Sequence, residues 1–93
     1  MPTKVIFAWE LPNKSWKWEA TKYEGNGIFF GKVTSPIVPD GEWGTWYLWD
    51  IENVDAKLGS GDKELLAKIR AGSKKAREIQ RDILKWKKKR GFI

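Results

Sequence analysis

Ser15-Trp16-Lys17-Trp18-Glu19-Ala20-Thr21-Lys22-Tyr23, Glu24-Gly25-Asn26-Gly27 and Ile28-Phe29-Phe30-Gly31-Lys32-Val33-Thr34 follow one another directly, and their reading decides the fold class. The first stretch alternates. Trp16, Trp18 and Ala20 share one face while Lys17, Glu19, Thr21 and Tyr23 share the other, the pattern of a half-buried strand. Glu24 to Gly27 is rich in residues that tolerate positive φ and predicts a reversal into a second strand, Ile28 to Thr34. A hairpin of this kind commits the N-terminal part of the chain to an antiparallel sheet.

Upstream, Thr3 to Trp9 is β-branched and aromatic, and Leu11-Pro12-Asn13-Lys14 is a turn signal. Downstream, the proline-limited stretch Ser35 to Gly41 precedes a predicted strand from about Trp43 to Ile51. In it Trp43, Thr45, Tyr47, Trp49 and Ile51 alternate with Gly44, Trp46, Leu48 and Asp50, so both faces carry aromatics. Asn53 to Gly61 reads as a linker, and Asp62 as the N-cap of a helical region. There Leu65, Ile69, Gly72, Ala76, Ile79, Ile83 and Trp86 recur at spacings of four and three, from about Asp62 to Lys89. The unbroken phase favours one long helix. Ala71-Gly72-Ser73 favours a break, because Gly weakens a helix interior and Ser suits an N-cap, and the break is the preferred reading. The expectation is one α+β domain over residues 1–93, with an antiparallel sheet of about four strands packed on one or two C-terminal helices. Residues 1–52 form its Trp-rich sheet part and 62–90 its basic helical part.

Composition removes whole classes of chemistry. The 93 residues contain no His and no Cys, which excludes a Ser-His-Asp triad, a Cys nucleophile, a disulfide framework and an ordinary zinc or haem site. No cofactor-binding motif is recognisable: Gly25 to Gly31 has the wrong spacing for a dinucleotide loop and precedes a strand. The N-terminal apolar run is too short for a signal-peptide core, and no stretch approaches the roughly 20 apolar residues of a spanning helix. A cytoplasmic location is the expectation.

Charge and aromaticity divide between the two parts. Residues 1–60 hold six lysines against eight acids, a net −2, whereas 61–93 hold twelve basic residues against four acids, a net +8. Eleven of the thirteen aromatic residues lie in the first sixty positions. One segment supplies the fold and the other a charged surface.

The basic segment carries the main functional signal. Arg77, Arg81, Lys85, Lys87, Lys88, Lys89 and Arg90 are the candidate nucleic-acid contacts, through a field that meets phosphates. The competing reading is a solvated helix face eased by pairs such as Glu64 with Lys68 and Lys74 with Glu78. Around Trp86 the lysine run also suits an anionic membrane surface, with Trp86, Phe92 and Ile93 at the lipid interface, although Trp86 more simply continues the apolar stripe. Seven tryptophans exceed the needs of a small core, and Trp18 and Trp46 are the candidates for base stacking or partner contact. Asp50, Glu52 and Asp55 are the one carboxylate cluster. On a strand Asp50 and Glu52 share a face, as a Mg²⁺-dependent nuclease would need, but surface acids are the simpler reading and no metal site is expected.

Trp16 to Tyr23, Ile28-Phe29-Phe30-Gly31-Lys32-Val33, Gly41-Glu42-Trp43-Gly44 and Tyr47-Leu48-Trp49-Asp50-Ile51-Glu52 resemble, in this order, short motifs of the domain-of-unknown-function family 2958. That family is carried by plasmids, prophages and bacterial chromosomes. The resemblance covers about residues 5 to 59; Trp43 and Trp46 differ from the family's usual residues, and the basic helix has no counterpart. It implies an accessory protein of a mobile element and brings no catalytic residue.

Two functions from different classes follow. The first is a small non-enzymatic protein that binds DNA or RNA through the basic helix. The alternative is a protein-binding inhibitor of a host system that uses exposed Trp and a basic patch against an acidic surface. The apolar stripe serves an intramolecular core or a homodimer equally well.

Overall fold

The computed structural model describes residues 4–91. Phe92 and Ile93, proposed above for a lipid interface, lie outside the described residues, as does Thr3 at the start of the first predicted strand. The elements are β1 (Phe7–Glu10), β2 (Lys17–Gly25), β3 (Ile28–Thr34), β4 (Glu42–Tyr47), α1 (Leu48–Asn53), β5 (Lys57–Ser60), α2 (Lys63–Gly72) and α3 (Lys74–Lys89). The strands form one antiparallel sheet in the order β4-β3-β2-β1-β5. The α+β architecture is as expected, with five strands in place of about four.

The β2–β3 hairpin forms where predicted, with positive φ at Gly25, Asn26 and Gly27. Its alternation holds only to Ala20. There the register shifts, so that Ala20 lies opposite Gly31 and Lys22 opposite Phe30, and Thr21 becomes the extra residue of a bulge. The extra residue turns Tyr23 to the Trp18 side, where its ring lies 5.0 Å from that of Phe29 and its hydroxyl accepts a 2.9 Å hydrogen bond from Gly27 N. Gly31 is obligatory on that face: a Cβ there would collide with the Glu19 carbonyl oxygen and the Ala20 backbone.

The core face of the sheet contributes Phe7, Trp9, Trp18, Ala20, Phe29 and Trp46. Leu48 and Ile51 of α1 and Leu66 and Ile69 of α2 cover it. Edge-to-face contacts of Phe29 with Phe7 (5.6 Å) and with Trp9 (5.2 Å) join the strands across the middle.

Four expectations change. The last predicted strand ends at Tyr47, and residues 48–53 are helical with Leu48, Trp49 and Ile51 buried. A short apolar run fits either period, and here the core beside β4 is filled by a helix turn. Residues 57–60, read as linker, are the edge strand β5, held by pairing with β1. The helical stripe begins one residue late: Leu66 and Ile69 are buried while Leu65 is exposed. The helix does break, with α2 ending at Gly72 and α3 starting at Lys74. Ser73 does not cap α3 with its side chain, however; its hydroxyl donates to the Arg70 carbonyl (3.2 Å).

Asp62 caps α2 as expected, its side chain accepting from the backbone N–H of Glu64 (2.9 Å) and Leu65 (3.2 Å). Asp62→Ala is expected to cost about 1 kcal/mol by urea denaturation, with Asp62→Asn nearly neutral. Equal losses for both would show that the cap bond is not the cause.

Candidate nucleic-acid interface

The position of α3 is set at its first turn. The chain between the two helices turns at Ser73, which is buried and lies against Gly27 of the β2–β3 turn, where the ring of Trp49 also packs. A Cβ on Gly27 would run into that ring, and its φ of 80° suits glycine. Trp49 also stacks on Tyr47, with ring centroids 4.5 Å apart. The elbow is thereby pinned to the end of the sheet, and α3 leads away from it with no buried residue.

Successive residues of a helix are about 100° apart, so neighbours in sequence fan around the cylinder. Of the seven candidate contacts, Arg77, Arg81, Lys85 and Lys88 follow one another at spacings of four, four and three and form one ridge. Lys74, one turn before Arg77, extends it; sequence adjacency hid this residue, while the three-and-four spacing reveals it. The other three leave the ridge. Lys87 lies on the flank that lines a groove beside α3. Lys89 falls on the flank of Glu78 and Asp82, and Arg90, the C-cap, places its guanidinium carbon 5.1 Å from the Trp86 ring centroid.

The ridge is not internally neutralised. Among the described residues the ion pairs within 4.0 Å are Lys17–Glu19, Lys22–Glu24 and Arg70–Glu52, none of which uses α3. The expected pairs of Glu64 with Lys68 and of Lys74 with Glu78 do not close to that distance. With eight basic residues against two acids, α3 holds a local excess equal to the net +6 of the whole chain.

The tryptophans chosen for stacking are placed otherwise. Trp18 and Trp46 are 9% and 7% exposed and belong to the core, and Trp46 Nε1 is buried without a hydrogen-bond partner among the described residues. Alternation separated the two faces of β4 correctly, but only the register, which puts Trp46 opposite Phe29, shows which face is inside. The exposed aromatic of β4 is Trp43, stacked on Phe30 at 5.8 Å and cross-strand from Lys32.

The carboxylates are dispersed. In α1, Asp50 and Glu52 point to different sides: Asp50 Oδ2 accepts from Tyr47 N (3.4 Å), and Glu52 takes Arg70 Nε at 3.0 Å and a terminal guanidinium nitrogen at 3.0 Å. Asp55 sits in a left-handed turn at φ 59°. The shared strand face expected for Asp50 and Glu52 does not exist, and among the described residues no three acids, His or Cys gather as a metal site.

No helix among the described residues is long and apolar enough to cross a membrane. Comparison with known proteins finds no matching family model, curated protein or solved structure.

Proposed function

We propose that this protein is a small cytoplasmic, non-enzymatic nucleic-acid-binding protein that contacts the phosphate backbone through α3. The carrying observation is the ridge Lys74, Arg77, Arg81, Lys85 and Lys88: basic side chains on one face of an exposed helix, with no ion pair within 4.0 Å among the described residues. A helix about 24 Å long fits a groove or follows a backbone, and its cations release counterions from a polyanion. Because these contacts are to phosphate, binding is largely independent of sequence. The resemblance to family 2958 suggests a plasmid or phage accessory protein as the setting.

Fluorescence anisotropy with labelled single- and double-stranded DNA and RNA tests the reading. Binding is expected at low salt and to weaken by roughly 10²-fold or more between about 50 and 200 mM salt if four or five phosphates are neutralised. Absence of binding at low salt to all of these probes would remove the proposal. The second reading, an inhibitor of a host protein, draws support from the exposed Trp43, stacked on Phe30, an aromatic surface of the kind that anchors protein interfaces. It predicts a salt-tolerant complex.

A further inference from the structure

On the face of α3 away from the ridge, Ile79 and Ile83 are each about half exposed. Between this face and Ile28 and Tyr47 at the end of the sheet runs a groove of about 630 Å³. Lys75 and Lys87 line it on the α3 side, and no acidic residue lines it.

We propose that this groove is a docking site for an acidic amphipathic helix of a partner protein. The site is separate from the ridge and goes beyond the nucleic-acid reading. Three observations select the occupant. The apolar surface is a trough with one wall on α3 and the other on the ends of β3 and β4, which suits the side chains along one face of a helix and not the flat surface of a bilayer. Its cationic lining asks for acids on the ligand: Lys75 and Lys87 are twelve residues apart, about 18 Å along the helix, so a partner helix of three to four turns meets one at each end. A second copy would bring two helices of the same +6 excess together, and a phosphate backbone would gain nothing from Ile28, Ile79 and Ile83.

The test uses a fluorescein-labelled synthetic helix with Leu on one face and Glu on the flanks, a scrambled peptide of the same composition, and a Leu/Lys analogue. The acidic helix is expected to bind at micromolar concentration, about tenfold or more tighter than the scrambled peptide, and the Leu/Lys analogue not to bind. Ile79→Gln/Ile83→Gln and Lys75→Gln/Lys87→Gln are each expected to weaken it about tenfold, while Arg77→Gln/Arg81→Gln changes it by less than about threefold. All six positions are exposed or carry flexible side chains, and circular dichroism checks that each variant remains folded. Equal binding of the scrambled peptide, or a loss that follows the ridge variant, would reduce the effect to general charge attraction and overturn the proposal. So would no binding of the acidic helix, Ile79- and Ile83-dependent self-association in sedimentation, or preference for phosphatidylserine vesicles over the peptide. Because the ridge variant is read separately, failure here leaves nucleic-acid binding to be judged on its own.

Discussion

Phe29→Ala is expected to cost about 3–5 kcal/mol and to leave the domain largely unfolded or within a few kilocalories of it, since small domains hold roughly 5–15 kcal/mol in all. Phe29 is fully buried in the central part of the sheet. Its ring touches Phe7, Trp9, Tyr23 and Trp46, residues from β1, β2 and β4, so that one truncation removes contacts from three strands together. The surrounding rings are large and held by the ladder, which restricts collapse into the cavity and places the cost in the upper part of the range for such changes. Phe30→Ala, one residue on and on the opposite face, is the control and should cost far less. Thermal and urea unfolding followed by circular dichroism measure both; similar losses for the two would mean that the core face is wrongly assigned.

The largest functional effect belongs to the ridge. Arg77→Glu/Arg81→Glu/Lys85→Glu/Lys88→Glu is expected to weaken binding to DNA and RNA by about two orders of magnitude or more at low salt. Each reversal changes the charge by two, which takes the chain from +6 to −2. All four side chains are exposed, and Glu is a good helix former, so α3 persists. Glu at position 88 does oppose the helix dipole at the C-terminal turn, a cost of a few tenths to about 1 kcal/mol. The neutral Gln set avoids it and should lose affinity less severely. A matched reversal of Lys17, Lys22, Lys32 and Lys57, which lie on the sheet, controls for net charge alone; an equal loss there would show that α3 has no special part.

The sequence and the structure agree where a local signal has one physical reading. Gly25-Asn26-Gly27 permits a turn that few other residues would, and Asp62 offers a cap to two free N–H groups. Disagreement comes from choices made by tertiary packing. Nothing local to Thr21 announces the bulge that rephases Tyr23; the shift answers to the pairing of β2 with β3. Lys57–Ser60 contains Gly59 and Ser60, poor strand formers, and is a strand because β1 offers an open edge. The stripe Ile79, Ile83 and Trp86 has the period of a core face, yet Leu66 and Ile69 already cover the sheet, and the elbow at Ser73 leaves those residues exposed. For the site, residue type was legible and arrangement was not. The run Lys85 to Arg90 looks like a cluster as a string of letters. On a helix it scatters, and the ridge is built from Lys74, Arg77, Arg81, Lys85 and Lys88.

Whether α3 binds phosphate is read from the slope of log K against log salt for one single-stranded and one double-stranded oligonucleotide, measured with the unaltered protein and with the Gln variant at Arg77, Arg81, Lys85 and Lys88. Each phosphate contact contributes about 0.9 to the slope on duplex DNA and about 0.7 on single strands, so if all four residues bind phosphate the variant's slope should be shallower by about 3.6 on the duplex and about 2.8 on the single strand. Identical slopes for the two proteins would remove α3 as the binding surface and place any polyanion contact elsewhere on the molecule.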